Sequence, residues 1–169
     1  FPEAQLRDLV NNVAGFGAQR LRLSVDVNGY GALEQFAMPS ADTKWTAIVS
    51  PVRLDSADPW LRHKTTKRAL YDDARASLPQ GVDEVLFLNE RDEVCEGTIT
   101  NIFVRRNVRL LTPPVSCGLL PGILRKELID VSRAEEHVLT LKDLKSAKTI
   151  FFGNSLRSLI PADVIIPDA

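Results

Sequence analysis

The sequence predicts an α+β, or mixed α/β, fold in which helices and strands alternate without a regular strand–helix–strand beat. Three observations carry this expectation. A helical stretch and a β-hairpin open the chain and are set apart by the polar, turn-rich run 39–44 (PSADTK), which divides it into residues 1–40 and 41–169. Beyond that run come short apolar strands bounded by turn residues, such as 84–88 (EVLFL). Two amphipathic segments, 67–78 and 122–133, interrupt the strands at uneven intervals, which argues against a doubly wound sheet.

Taken in order, residues 2–13 carry Leu6, Leu9, Val10 and Val13 at a helical period, with Pro2 suited to a first turn and Gly15 and Gly17 as terminators. Residues 20–27 (RLRLSVDV) and 32–38 alternate, and Asn28-Gly29 between them signals a hairpin. Residues 45–52 (WTAIVSPV) read as a strand and 55–59 as a loop. A helix over 67–78 presents Ala69, Leu70, Ala74 and Leu78 and stops at Pro79-Gln80-Gly81. Strands are expected at 84–89, 94–97, 101–105 and 108–111, the last ended by Thr112-Pro113-Pro114. A helix over 122–133 follows, then a strand at 148–152 (KTIFF) running into Gly153-Asn154-Ser155, and a short last strand at 164–166.

Composition narrows the function. Of 169 residues, 44% are apolar and 25% charged, ordinary for a globular domain, and the formal net charge of −1 gives no footprint for nucleic acid or an anionic membrane. No apolar run approaches the ~20 residues that span a bilayer. Cys95 and Cys117 have no metal-ligand spacing and form no disulfide framework, so they read as reduced thiols of a cytoplasmic protein. Phe1 is no initiator and leads at once into a helical pattern, so a preceding segment is expected.

Four features could carry chemistry. Lys64 sits in a basic run, Arg62 to Arg68, just before a helix, and neighbouring cations or desolvation turn a lysine into a Schiff-base nucleophile. A solvated basic helix start is the alternative, although such a cluster opposes the helix dipole. Glu96 lies in an otherwise apolar strand before Gly97, where a carboxylate is costly unless paired. A pyridinium nitrogen suits it, and a solvent-facing strand end is the other reading. Gly122-Ile123-Leu124-Arg125 opens a helix behind Pro121, and free N–H groups at a helix start bind phosphate. Gly153-Asn154-Ser155 is a second turn of that kind. No Walker, GxGxxG or GxSxG motif is present.

The combination is more specific than its parts. Glu96-x4-Asn101-Ile102-Phe103, Thr112-Pro113-Pro114 and Gly118-Leu119-Leu120-Pro121-Gly122-Ile123-Leu124-Arg125 resemble the signature of the class IV aminotransferases, the fold-type IV pyridoxal-phosphate enzymes. Lys64 falls where that family carries its Schiff-base lysine. Within the family, His63-Lys64-Thr65-Thr66 and the stretch from Thr112 to Gly122 look most like aminodeoxychorismate lyases. The resemblance covers residues 45–160 well and the first 40 loosely.

The resemblance implies pyridoxal 5'-phosphate as cofactor. It makes Lys64 the catalytic, cofactor-bearing lysine and Glu96 the partner of the pyridine nitrogen. Asn101, Gly122, Ile123, Leu124, Asn154 and Ser155 would complete the cofactor site, the backbone of Ile123 and Leu124 holding phosphate. It implies a lyase of folate biosynthesis that converts 4-amino-4-deoxychorismate to 4-aminobenzoate and pyruvate. An aminotransferase of branched-chain or D-amino acids, and a catalytically inactive fragment or assembly domain, are the alternatives. The expected partners are a small-molecule amine and a second copy of the chain in a homodimer, with neither nucleic acid, membrane nor metal. The family's N-terminal segment, with a phosphate-binding Arg, finds no match here. Residues 1–40 are therefore expected to be the remainder of a small domain, and 41–169 the large cofactor-binding domain.

Overall fold

The structure is a computed structural model and describes residues 3–15, 17–40 and 44–167. The chain divides into two compact units, Phe1–Ala41 and Asp42–Ala169. Pro2, expected in the first helical turn, and residues 41–43 of the expected boundary lie outside the described residues.

The first unit is a helix, α1 (Glu3–Asn11), and an antiparallel pair, β1 (Gln19–Val25) and β2 (Gly31–Ala37). The apolar stripe of α1 meets the pair at Gly31, where a Cβ would lie 2.4 Å from Leu6 Cδ2 and 2.9 Å from Leu9 Cδ1. Asp26 closes the hairpin by accepting the backbone N–H groups of Asn28 and Tyr30, both at 2.9 Å, and Gly29 takes a φ of 88°.

The second unit is built on one mixed sheet. Its strands are β3 (Trp45–Leu54), β4 (Glu84–Asn89), β5 (Val94–Gly97), β6 (Asn101–Arg106), β7 (Arg109–Thr112), β8 (Ala134–Glu136), β9 (Ile150–Asn154) and β10 (Ser158–Ile165). They run in the order β5-β4-β3-β10-β9-β6-β7-β8, and a further β5–β6 pairing closes the strands from β5 to β6 into a ring. The closing pair is Glu96 against Asn101. Strand β10 runs parallel to β3, β3 to β4 and β7 to β8, and the other pairs are antiparallel. Strand β4 is buried at every residue, as its unbroken apolar run requires. Phe87, Phe103 and Phe152 are the largest fully buried side chains.

Three helices flank the sheet: α2 (Ala69–Ala76), α3 (Ile123–Asp130) and α4 (Leu141–Ser146). Helix α2 turns Tyr71 and Ala74 inward against Val85 and Phe87, joined by Leu78 just beyond its end, while Ala69 and Leu70, expected inside, are exposed. The 3.6-residue period counted from Tyr71 selects that face. Helix α3 stops short of Arg133 because Ser132 adopts a φ of 56°, which turns the chain into β8 beside β7. Strand β10 starts six residues earlier than the expected 164–166 strand. Cys95 and Cys117 are free and buried, and the Cys95 thiol donates to the Cys117 carbonyl at 3.1 Å. Among the described residues no helix is long and apolar enough to cross a membrane, and no group of His, Cys, Asp or Glu is disposed to hold a metal ion.

Candidate functional site

A cleft of about 320 Å³ in the second unit lies over the closing β5–β6 pair. One wall is the irregular segment between a 3-10 turn (Pro59–Arg62) and α2, which carries His63, Lys64, Thr65 and Lys67. Glu96, Gly97 and the hairpin up to Asn101 make the floor. Leu120, Pro121, Gly122 and Ile123 form the opposite wall, and Asn154 with Ser155 closes one end.

Glu96 is held at both carboxylate oxygens. The Tyr71 hydroxyl donates to Oε1 at 2.8 Å and the Leu120 N–H to Oε2 at 3.1 Å. The side chain is 6% exposed, and burial pushes its carboxyl up to about 8, against the opposing pull of the Tyr71 and Leu120 hydrogen bonds and the positive charges of Lys64 and Arg68. A cation placed against that carboxyl would bring it back to the charged form. Burial and Glu96 together drive the Tyr71 hydroxyl upward, so it stays a donor.

The loop beneath is fixed by a second buried carboxylate. Glu84, fully buried at the head of β4, accepts the Thr98 N–H at 2.9 Å and the Thr100 hydroxyl at 2.8 Å, takes a short hydrogen bond from the Thr98 hydroxyl, and lies 3.6 Å from Arg75. A Cβ on Gly97 would sit 2.4 Å from Thr100 Oγ1 and 2.7 Å from Glu84 Oε2. Gly97→Ala is therefore expected to lower stability by about 1–3 kcal/mol, the usual range for overpacking, read as a lower urea midpoint. An unchanged midpoint would show that the loop yields freely.

The wall that carries Leu120 is held from behind. Asn101 Nδ2 donates to the Leu120 carbonyl at 2.9 Å, and Asn101 Oδ1 lies 2.3 Å from where a Gly122 Cβ would be, so only glycine fits there. Buried Arg125 of α3 donates to the Pro113 carbonyl at 2.7 Å and pairs with Glu136, tying the loop to the helix. No side chain caps α3, whose first N–H groups, from Ile123 onward, begin at the cleft edge. Asn154 donates to the Ile99 carbonyl at 3.1 Å and accepts from Leu156 and Arg157 N–H groups, so its side chain shapes its own turn.

Of the residues singled out from sequence, Lys64, Glu96, Asn101, Gly122, Ile123, Asn154 and Ser155 line this one cleft. Leu124 does not; its side chain packs among Phe103, Leu128 and Phe151. Tyr71 and Glu84 escaped sequence reasoning. Glu84 could have been found by the argument applied to Glu96, since it too is a carboxylate heading an apolar strand.

Comparison with known proteins bears on the family and the fold. The family model of amino-transferase class IV matches residues 1–165. A provisionally named amino-acid aminotransferase of Mesorhizobium loti, known as a crystal structure, is 45% identical with a TM-score of 0.87, covering 96% of this chain and 80% of its own. A provisionally named branched-chain-amino-acid aminotransferase of Methanocaldococcus jannaschii is 38% identical over 86 residues, 48% of this chain and 30% of that protein. A provisionally named aminodeoxychorismate lyase of Schizosaccharomyces pombe is 32% identical over 113 residues, 62% of this chain and 48% of that protein. The chain thus spans less than half the length of these two curated relatives.

Proposed function

Because this chain belongs to the class IV aminotransferase family, whose cofactor is pyridoxal 5'-phosphate, we propose that its cleft is the site of a pyridoxal-phosphate lyase that converts 4-amino-4-deoxychorismate to 4-aminobenzoate and pyruvate. The observation that carries the reading is the meeting of Lys64, the doubly held Glu96 and the uncapped start of α3 around one cleft. The donor set fits the cofactor. An amine nucleophile, a buried carboxyl that lacks a full counter-charge and a row of helix N–H groups answer its aldehyde, its ring nitrogen and its phosphate.

When bound, pyridoxal 5'-phosphate supplies a carbonyl that joins an amine and a ring that draws off electrons. Lys64 Nζ would be the amine that holds the cofactor and, when free, would serve as the general base at the substrate's amine-bearing carbon. Glu96 would keep the ring nitrogen charged, with Tyr71 and Leu120 fixing both of its oxygens. The N–H groups of Ile123 and Leu124 would hold the phosphate, and Asn101 and Arg125 keep that wall in place. Residues 1–40 belong, on this reading, to a small domain and 41–169 to the large one, in a cytoplasmic homodimer.

The relatives favour a second reading as well, since several are named aminotransferases. Pyruvate release separates the two. Cofactor-supplied protein is expected to release pyruvate from 4-amino-4-deoxychorismate with no keto acid added. Turnover that occurs only with a keto-acid acceptor would assign the site to amino transfer instead.

A further inference from the structure

The mouth of the cleft carries hydrogen-bond donors that the cofactor reading leaves unused. Among the charged side chains that line the cleft, Lys64, Lys67 and Arg68 are basic and Glu96 is acidic. Lys64 and Glu96 are assigned to the cofactor above. Arg68 is committed to the fold, with Nε 2.7 Å from Asp72 and Nη2 2.8 Å from the Thr98 carbonyl. Lys67 remains. Its ammonium stands 4.6 Å over the Trp60 ring, and among the described residues no carboxylate pairs with it. Beside it, the Thr65 hydroxyl oxygen accepts the Lys67 backbone N–H at 3.2 Å, while its own hydrogen has no acceptor among the described residues. The Trp60 indole N–H likewise has none.

These groups are arranged rather than scattered. Asp58 accepts the Trp60 backbone N–H at 2.9 Å, and the His63 N–H donates to the Trp60 carbonyl at 3.2 Å. The ring of His63 meets Trp60 edge-on at 6.4 Å. Trp60 is thus a placed platform, 46% exposed, with Leu61 beside it as an apolar wall. A flat apolar face next to an ammonium and two further donors matches a ring that bears a carboxylate. A branched aliphatic side chain would leave all three donors without a partner.

We propose that Lys67, Thr65 and Trp60 form a subsite that receives a carboxylate carried on the substrate's ring, with Trp60 as the surface against which that ring lies. The proposal rests on the assignment of Lys64 and Glu96 to the cofactor and adds the substrate feature read by their neighbours in the same cleft. Lys67 acts here as a specificity residue: its charge favours substrates whose ring bears a carboxylate over those with an uncharged side chain in that place.

Calorimetric titration with two probes that carry no amine tests this, so cofactor chemistry does not intervene. The probes are 4-hydroxybenzoate and phenol, which differ only by the carboxylate. With the full chain, measured with and without pyridoxal 5'-phosphate, 4-hydroxybenzoate is expected to bind at least about tenfold more tightly than phenol, as one charge-assisted hydrogen bond allows. Lys67→Gln should lose that preference and leave phenol unaffected, and Lys67→Arg, which keeps the charge, should retain most of it. Equal binding of the two probes by the parent chain, or a preference that survives Lys67→Gln, would overturn the proposal. Failure of the cofactor reading has a different signature: pyridoxal 5'-phosphate would not bind, while the probe preference and its dependence on Lys67 would stand.

Discussion

Lys64→Ala is expected to abolish turnover of an amine substrate by the cofactor-supplied protein, with a loss of about four orders of magnitude or more. The side chain is assigned two tasks: covalent attachment of the cofactor and movement of the proton at the amine-bearing carbon. Loss of the second alone typically costs about a hundredfold to ten-thousandfold. Lys64 is exposed and sits in irregular chain between the 3-10 turn and α2, so the variant should keep the parent's far-ultraviolet spectrum and cooperative unfolding. Cofactor should still bind, held by Glu96 and the start of α3, without becoming covalently attached. Added methylamine, a small amine able to stand in for Nζ, is expected to restore part of the lost rate. Turnover within tenfold of the parent's would remove Lys64 from the chemistry.

The second large effect is expected at Glu96. Glu96→Gln keeps the shape, and its amide oxygen can still accept from the Leu120 N–H while its amide nitrogen donates to the Tyr71 hydroxyl oxygen, but it removes the charge that keeps a ring nitrogen protonated. A loss of about a hundredfold in turnover, about 2.7 kcal/mol of transition-state stabilisation, is the expected size. Cofactor affinity should fall much less, because the start of α3 is untouched. Without cofactor the same substitution has a pH signature. Burial raises the Glu96 carboxyl from 4.5 to about 8, so the folded chain holds a proton that the unfolded chain releases between those values. This contribution favours the fold fully below 4.5 and is lost as pH rises through about 8. Glutamine is neutral throughout. Denaturation of the cofactor-free proteins should therefore show the variant gaining on the parent from about pH 5 to about pH 9. A constant difference across that range, together with unchanged turnover, would return Glu96 to an ordinary structural role.

Much of the cleft was legible because its parts are local. Lys64 stands out in a basic run, Glu96 in an apolar strand, and Gly122 at a helix start, and each is argued from neighbours a few positions away. The strands read well for the same reason: 84–89 and 94–97 match β4 and β5 residue for residue. What escaped depends on long-range pairing. Closure of the sheet through Glu96 and Asn101 rests on a four-residue strand whose neighbours are set by the whole sheet. Strand β8 has only three residues and α4 only six, too few to express a period. Tyr71 was passed over because α2 was aligned on Ala69 and Leu70, and the side that faces Phe87 is fixed by packing that no local pattern records. Glu84 was absorbed into the apolar run it heads, although its partners Thr98 and Thr100 lie on the loop that forms the cleft floor.

The central claim is that Lys64, which lines the same cleft as Glu96, is the residue that bears the cofactor. Reduction with borohydride after incubation with pyridoxal 5'-phosphate, followed by peptide mapping, tests it most directly. The predicted result is a single pyridoxyl adduct on Lys64 that is lost in Lys64→Ala. An adduct on Lys67 at the cleft mouth, or modification spread over the surface lysines, would contradict it.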